Sequence, residues 1–226
     1  QLALARRFEQ WILAIGSHDS RNPLGAIDGS AKLLALRAGT DDRTREVAAR
    51  IERSVQRITN IVGDLLDLSR ERHGGGIPLV PVPTDLCAVC REVAEEIRSF
   101  TTDRTIDVAC EGTPTGNWDS QRLTQALSNL VGNAVKHGEP GTPIEVRVRA
   151  DDGSAIVEVH NAGAIPSEIM PTLFEPFASR SDRKRHDGLG LGLFIAQSIA
   201  HAHRGDLHVD SSPERGTTFR LVLPAA

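Results

Sequence analysis

The sequence predicts an α-helical hairpin, paired as a four-helix bundle in a dimer, followed by an α+β sandwich domain. Three observations carry this. Apolar residues recur at spacings of three and four through residue 72. A glycine-proline run, His73-Gly74-Gly75-Gly76-Ile77-Pro78 with Pro81 and Pro83 behind it, then interrupts the chain. Beyond it, strand-like and helix-like stretches alternate. The expected division is a hairpin over 1–73, a linker over 74–84 and a second domain over 85–226.

The first helical segment, 2–37, carries Leu4, Phe8, Trp11 and Ile15, then Leu24, Ile27, Leu33 and Leu34. Pro23 should bend it or open its backbone ladder. Gly39-Thr40-Asp41 is a short turn. The second segment, 42–72, carries Ile51, Val55, Ile58, Ile61, Val62, Leu65 and Leu68 as one stripe. Asp41 or Asp42 can cap its start, and the glycine run ends it. A lone hairpin cannot bury a whole stripe, whereas two can, so a homodimer is expected.

In the second half, Leu86, Val89, Val93 and Ile97 mark a helix over 86–99. A strand at 105–110 and a helix at 119–137 follow. Strands 144–150 and 155–161 flank the turn Asp151-Asp152-Gly153. A glycine-rich loop opens a helix over 190–203, and strands 206–210 and 217–223 close the chain.

The chain has 226 residues, 39% hydrophobic and 25% charged, with a formal net charge of −4. An acidic balance argues against nucleic acid as a partner, because phosphate neutralisation needs a basic face. No apolar run approaches the ~20 residues of a membrane span. The chain opens on Gln1 and reads as part of a longer protein, with any upstream sensor domain missing from it. Cys87, Cys90 and Cys110 fit a reducing, cytoplasmic compartment. Cys87 and Cys90 read as small buried hydrophobes one helical turn apart rather than as metal ligands.

Several stretches carry chemistry. His18, in Ser17-His18-Asp19-Ser20-Arg21-Asn22-Pro23-Leu24, offers a neutral imidazole able to attack a phosphoryl group, although a His-Asp pair by itself reads rather as a capping or surface histidine. Asp19 can take the other ring proton and fix the tautomer. Asn22 stands one helical turn beyond His18. Asn129 and Asn133 share a helix face, and an amide oxygen is a hard neutral ligand suited to Mg²⁺ already bridging phosphates. Lys136 adds positive charge. By residue type alone these amides are equally a polar helix face. Gly188, Gly190 and Gly192 precede a helix, so the backbone can approach phosphate oxygens while free N–H groups face them. Arg180, Arg183, Lys184 and Arg185 form either a lid over a triphosphate or a solvated basic loop. His201 and His203 sit at a helix C-terminus, which favours histidine anyway, with no third ligand nearby.

These motifs resemble, in order, those of sensor histidine kinases. The His18 stretch is similar to the phospho-acceptor box. Asn129-Leu130-Val131-Gly132-Asn133-Ala134-Val135-Lys136-His137 resembles the asparagine box, and Phe174-Glu175-Pro176-Phe177 the phenylalanine box. Gly188-Leu189-Gly190-Leu191-Gly192-Leu193 resembles the second glycine box, and Gly216-Thr217-Thr218-Phe219 a final small one. The resemblance implies a homodimeric core that binds ATP and Mg²⁺ in an ATP-binding domain and autophosphorylates on His18. It then passes the phosphoryl group to an aspartate of a response-regulator receiver domain. It makes Asn133 the metal ligand, with Asn129, Lys136 and His137 near the phosphates. It gives Asn22 the task of orienting the water that dephosphorylates the regulator; the other reading is that Asn22 merely suits the position before Pro23. Gly163, Gly188, Gly190, Leu191, Gly192, Leu193 and Thr217 fall within nucleotide-binding boxes. Two positions depart from the pattern. Asn161 stands where the adenine-reading aspartate usually does, in His160-Asn161-Ala162-Gly163-Ala164, which also lacks the second glycine. Its amide oxygen can still accept that hydrogen bond, without charge. Ser20 replaces a usual leucine. Some phytochrome-like kinases share the His-Asn form and the His-Asp-x-Arg-Asn-Pro-Leu box. The alternatives are a kinase-weak, phosphatase-biased protein and a non-catalytic dimeric scaffold.

Overall fold

The structure is a computed structural model that describes residues 18–37, 41–101, 104–178 and 190–225, with the backbone alone for 18–23. Its contacts divide the chain into two units at Gly75 and Gly76.

Among the described residues the first unit holds two helices, α1 (His18–Leu36) and α2 (Asp42–Arg72). At 1.5 Å per residue the 31 residues of α2 extend about 46 Å. Asp41 is the cap: its carboxylate accepts from Thr44 N at 2.8 Å, and Asp42 is the first helical residue. That bond and the Thr44 hydroxyl hold the Asp41 carboxyl below its ordinary range. Helix α1 runs unbroken through Pro23, which stands five residues from its described start. The helices pack on each other, and Ala31 and Ala48, equidistant from the turn, are buried between them. Trp11 and Ile15 lie outside the described residues.

The second unit is one five-stranded mixed sheet with helices on one face. The helices are α3 (Leu86–Arg98), α4 (Ser120–His137) and α5 (Gly192–Ala202). The strands are β2 (Ile106–Glu111), β4 (Ile144–Asp151), β5 (Ser154–Asn161), β6 (Asp206–Ser212) and β7 (Gly216–Pro224), in the order β2-β4-β5-β7-β6. Only β2 and β4 run parallel. Alternation sets the faces. Val157, Val159, Phe219 and Leu221 turn inward and are fully buried. Glu158 and Arg220, cross-strand neighbours, turn outward and pair at 2.8 Å.

A small second sheet joins β1 (Val82–Asp85) to β3 (Thr115–Trp118). Neither strand is among the expected elements: β1 takes the last residues assigned above to the linker together with Asp85, and β3 lies in a stretch given no element above. Four-residue strands holding Pro83, Gly116 and Asn117 show no usable alternation. Their pairing is fixed by one side-chain bond between them and one to distant chain. The Thr84 hydroxyl bonds the Trp118 carbonyl, and the Trp118 indole N–H reaches Pro224 O at 3.0 Å.

The cysteine expectation is corrected. Cys87 is buried as predicted, yet it is bonded to Cys110, with Cα atoms 6.2 Å apart. The reason is tertiary: helix α3 lies against β2, which brings together residues 23 apart in sequence. Cys90 alone is free, and burial pushes its thiol up to about 12. A loop of this size contributes roughly 3 kcal/mol, and a domain this large loses about 2–4 °C per kcal/mol. Dithiothreitol is therefore expected to lower the thermal midpoint of the second unit by about 6–12 °C, read by scanning calorimetry. A Cys110→Ala variant should melt at the lower temperature with or without reductant.

Candidate functional site

Helix α4 is the common wall of the site. Asp119 caps its N-terminus, accepting from Arg122 N at 3.1 Å. Arg104 closes its C-terminus, donating to Gly138 O at 2.7 Å and Ala134 O at 3.4 Å. A guanidinium on terminal carbonyls satisfies acceptors that the helix leaves open. Between these fixed ends Asn129 and Asn133 stand one turn apart, both half-buried. Among the described residues the buried Asn129 Nδ2 has no hydrogen-bond partner. Lys136 and His137 occupy the exposed last turn. Local desolvation, then the neighbouring Lys136 charge, hold the His137 imidazole below its ordinary range. It is therefore neutral at pH 7.

Helix α5 meets α4 at Asn129. A Cβ on Gly192 would lie 3.3 Å from Asn129 Cγ and Oδ1, so glycine is what lets the backbone come this close. Leu191, in the cap position, is buried, and no side chain caps the helix. Its first N–H groups are thus open beside the orphaned Asn129 amide. Gly190 adopts φ +71° and its carbonyl accepts from Phe177 N at 3.0 Å. Phe177 itself has φ +68°, a left-handed geometry rarely held by a bulky residue. The phenylalanine and glycine boxes are therefore tied together at the backbone.

The other end of α4 abuts the Asn161 loop. Glu139 N donates to Ala162 O at 3.0 Å, and a Cβ on Gly138 would lie 3.2 Å from Asn161 Cβ. Asn161 is 3% exposed, and its Nδ2 donates to Ala162 O at 2.8 Å. That uses one of the two amide hydrogens and identifies Oδ1 as the acceptor end of the side chain. A relay shapes the loop: Ile165 N–H donates to Ser211 Oγ, Ser211 to Thr217 Oγ1, and Thr217 to Gly163 O, each at 2.8 Å. The final carbonyl fixes the direction of every hydroxyl. Asn161→Asp would set a carboxylate oxygen against the Ala162 carbonyl at a buried position. It is expected to lower stability by about 1–3 kcal/mol, read as a drop in thermal midpoint, and not to tighten nucleotide binding.

The structure thus groups Asn129, Leu191 and Gly192 at one end of the site, and Asn161, Gly163 and Thr217 at the other, with Asn133, Lys136 and His137 on the helix between them. Leu193 is in the first turn of α5. His18, Asp19 and Asn22 fall in the first turns of α1, where their side chains are outside the described set. Gly188 and the basic stretch with Arg180, Arg183, Lys184 and Arg185 also lie outside the described residues. His201 and His203 do not share a ligand: His201 faces Asp206 at 3.2 Å, whereas His203 is buried. Sequence reasoning missed Arg104, Ser211 and Asp119. Only Asp119 left a signal, a capping residue directly before a periodic run.

Residues 12–74 match the His Kinase A (phospho-acceptor) domain. Residues 118–226 match the family described as histidine kinase-, DNA gyrase B- and HSP90-like ATPase. A bacteriophytochrome of Pseudomonas aeruginosa is 35% identical over 221 residues, covering 96% of this chain and 30% of the relative. The histidine-protein kinase/phosphatase MprB of Mycolicibacterium smegmatis is 30% identical, covering 99% and 47%. Full-length ShkA in complex with AMPPNP superposes with a TM-score of 0.70 at 29% identity, over 96% of this chain and 46% of that one. The chain spans 24–49% of the length of curated relatives such as these. With both domain matches in this order on the fold just described, the chain belongs to the sensor histidine kinases and comprises their catalytic core.

Proposed function

We propose that the second unit binds ATP along α4 and transfers its γ-phosphoryl group to His18, from which it passes to an aspartate of a response-regulator receiver domain. The observation that carries the reading is Asn129: a buried amide donor without a partner, beside the uncapped N-terminus of α5. Native proteins keep few such orphans, and a bound ligand is one way in which they are satisfied. The phosphates would meet the α5 N–H groups and Asn129. The adenine amino group would donate to Asn161 Oδ1. Lys136 would supply charge at the open end.

The site also fits Mg²⁺. Asn133 offers a neutral oxygen one turn from Asn129, and Mg²⁺ takes one or two protein oxygens with phosphates and water completing its shell. Bound there, it would neutralise charge on the β,γ-phosphates. In the transfer itself, a ring nitrogen of His18 forms a bond to Pγ as the bond from Pγ to the bridging oxygen breaks. ADP leaves with that electron pair, and Asp19 accepts the other ring proton. The protein's part is positioning and charge neutralisation.

The hairpin would be the dimerisation surface, within a cytoplasmic protein whose Cys87 and Cys110 would be kept as thiols in the cell and pair on oxidation. Ile27, Leu33, Leu36, Val47 and Ile58 are all exposed in the single chain, Leu33 by 73% and Leu36 by 83%. Pairing two hairpins would cover apolar side chains of this kind. No helix among the described residues is long and apolar enough to cross a membrane. Asn22 would orient water for the reverse dephosphorylation of the regulator, a pairing of activities that fits the printed name of MprB.

The test is incubation of the whole chain with γ-labelled ATP and Mg²⁺. Acid-labile, base-stable label on a particle of twice 24.4 kDa supports the reading. No label together with no nucleotide binding overturns it in favour of a scaffold.

A further inference from the structure

We infer that His203 is a positioning residue for the nucleotide pocket: it sets the register of α5 on α4, and so holds Gly192 against Asn129. The inference rests on the nucleotide reading of that pocket.

His203 is 6% exposed and uses both ring nitrogens. Nδ1 is 2.8 Å from Ile199 O, a carbonyl that can only accept, so Nδ1 carries the hydrogen. Nε2 must then be the acceptor, and it receives Asp119 N–H at 3.0 Å. One ring thus joins the last turn of α5 to the cap residue of α4. Asp119 is itself 8% exposed and held on three sides. Its backbone N–H goes to His203, its Oδ1 to Arg122 N, and its Oδ2 to Val80 N at 2.8 Å.

The end of α5 is equally fixed. Arg204 has φ +60°, with Arg204 N bonded to His201 O and Gly205 N to Ala200 O. That double bond pattern locks the helix terminus in one geometry. His203 therefore stands at a defined point on a rigid rod.

Geometry carries this anchor to the pocket. From Asp119 to Asn129 is ten residues, about 15 Å along α4. The 11 residues of α5 span about 16 Å. The helices pack against each other, one end of α5 at Asp119 and the other at Asn129, so they run antiparallel. A clamp at the His203 end determines which α4 residue Gly192 meets. A slip of one residue would move the glycine turn by about 1.5 Å and take it off the Asn129 amide.

The experiment uses the whole chain, trinitrophenyl-ATP as a fluorescent probe, and three variants. His203→Gln can place an oxygen where Nε2 accepts and so keep the bond to Asp119. His203→Asn can keep the donor to Ile199 O and lose that bond. His203→Ala loses both. The expected result is probe affinity within about threefold of wild type for Gln, and at least about tenfold weaker for Asn and Ala. Thermal midpoints are recorded alongside. A structural role alone would make affinity follow the midpoint in all variants, whereas positioning makes Gln and Asn differ in affinity at similar midpoints. Equal affinity for Gln and Asn, or wild-type affinity for all three, overturns the inference. Should Ala fail to fold, the Gln–Asn comparison decides. Failure of the wild-type chain to bind the probe would instead overturn the nucleotide reading itself. Amide exchange at Ile195, whose N–H makes the first bond of α5 to Leu191 O, needs no ligand and would still report on how that turn is held, with Asn faster than Gln as the expected result.

Discussion

The chain with His18→Gln takes up no label from γ-labelled ATP, less than about 1% of wild type, while its affinity for trinitrophenyl-ATP is unchanged. Glutamine matches imidazole in reach and hydrogen bonding. Its amide nitrogen, however, shares its lone pair with the carbonyl and is no nucleophile. The bond to Pγ then cannot form, whatever the second unit does. The two readouts separate because the residues that would hold the nucleotide, from Asn129 to Thr217, belong to a different unit from His18. Label that persists in the variant would place the acceptor elsewhere. Asn22→Ala belongs in the same series with the opposite outcome: autophosphorylation kept, and dephosphorylation of the phosphorylated regulator lost. That outcome requires only that the amide hold a water, since α1 places residue 22 one turn from residue 18. Loss of labelling in Asn22→Ala would instead mean that the residue serves the helix around Pro23.

How far such positions could be read in advance follows from how local their causes are. Helices α2 to α5 were legible within a few residues because each carries its own period and stops. The stripe from Ile51 to Leu68 ends on three glycines, and α4 begins behind the capping Asp119. Strands β4 and β5 were legible from alternation around Asp151-Asp152-Gly153. What escaped was decided by distant chain. The pairing of Val82–Asp85 with Thr115–Trp118 depends on an indole that reaches Pro224, over a hundred residues on. Cys87 looked like a helix hydrophobe because nothing near it mentions Cys110. His203 looked like a helix-end histidine, which it is, but its second nitrogen is used 84 residues away. The site shows the same division. The asparagine and glycine boxes are contiguous words. Arg104, which closes α4, and the hydroxyl relay through Ser211 are assembled only when β2, β6 and β7 take their places.

Asn129→Ala is expected to move stability and function in opposite directions. The asparagine side chain leaves a buried Nδ2 without a partner, and an unmade bond of that kind costs about 1–3 kcal/mol. Alanine removes the orphan donor and is the better helix former, by several tenths of a kcal/mol. The ligand-free variant should therefore melt at least as high as wild type and by up to about 12 °C higher, in a unit that loses or gains 2–4 °C per kcal/mol. Nucleotide binding goes the other way. The donor that would meet a phosphate oxygen is a charge-assisted hydrogen bond of roughly 1.5–3 kcal/mol, so affinity for the ATP analogue falls about 10- to 150-fold. Asn133→Ala provides the contrast. Its amide is half-buried and not orphaned, so the melting temperature changes little. The loss of a ligand to the phosphate-bound cation removes several kcal/mol of charge stabilisation, and autophosphorylation drops by ~10² or more with Mg²⁺ present. An Asn129→Ala protein that melts lower than wild type would show that the amide has a structural partner in the folded chain. One that melts higher yet binds nucleotide normally would leave the orphan amide without a ligand, and with it the argument that this helix faces a triphosphate.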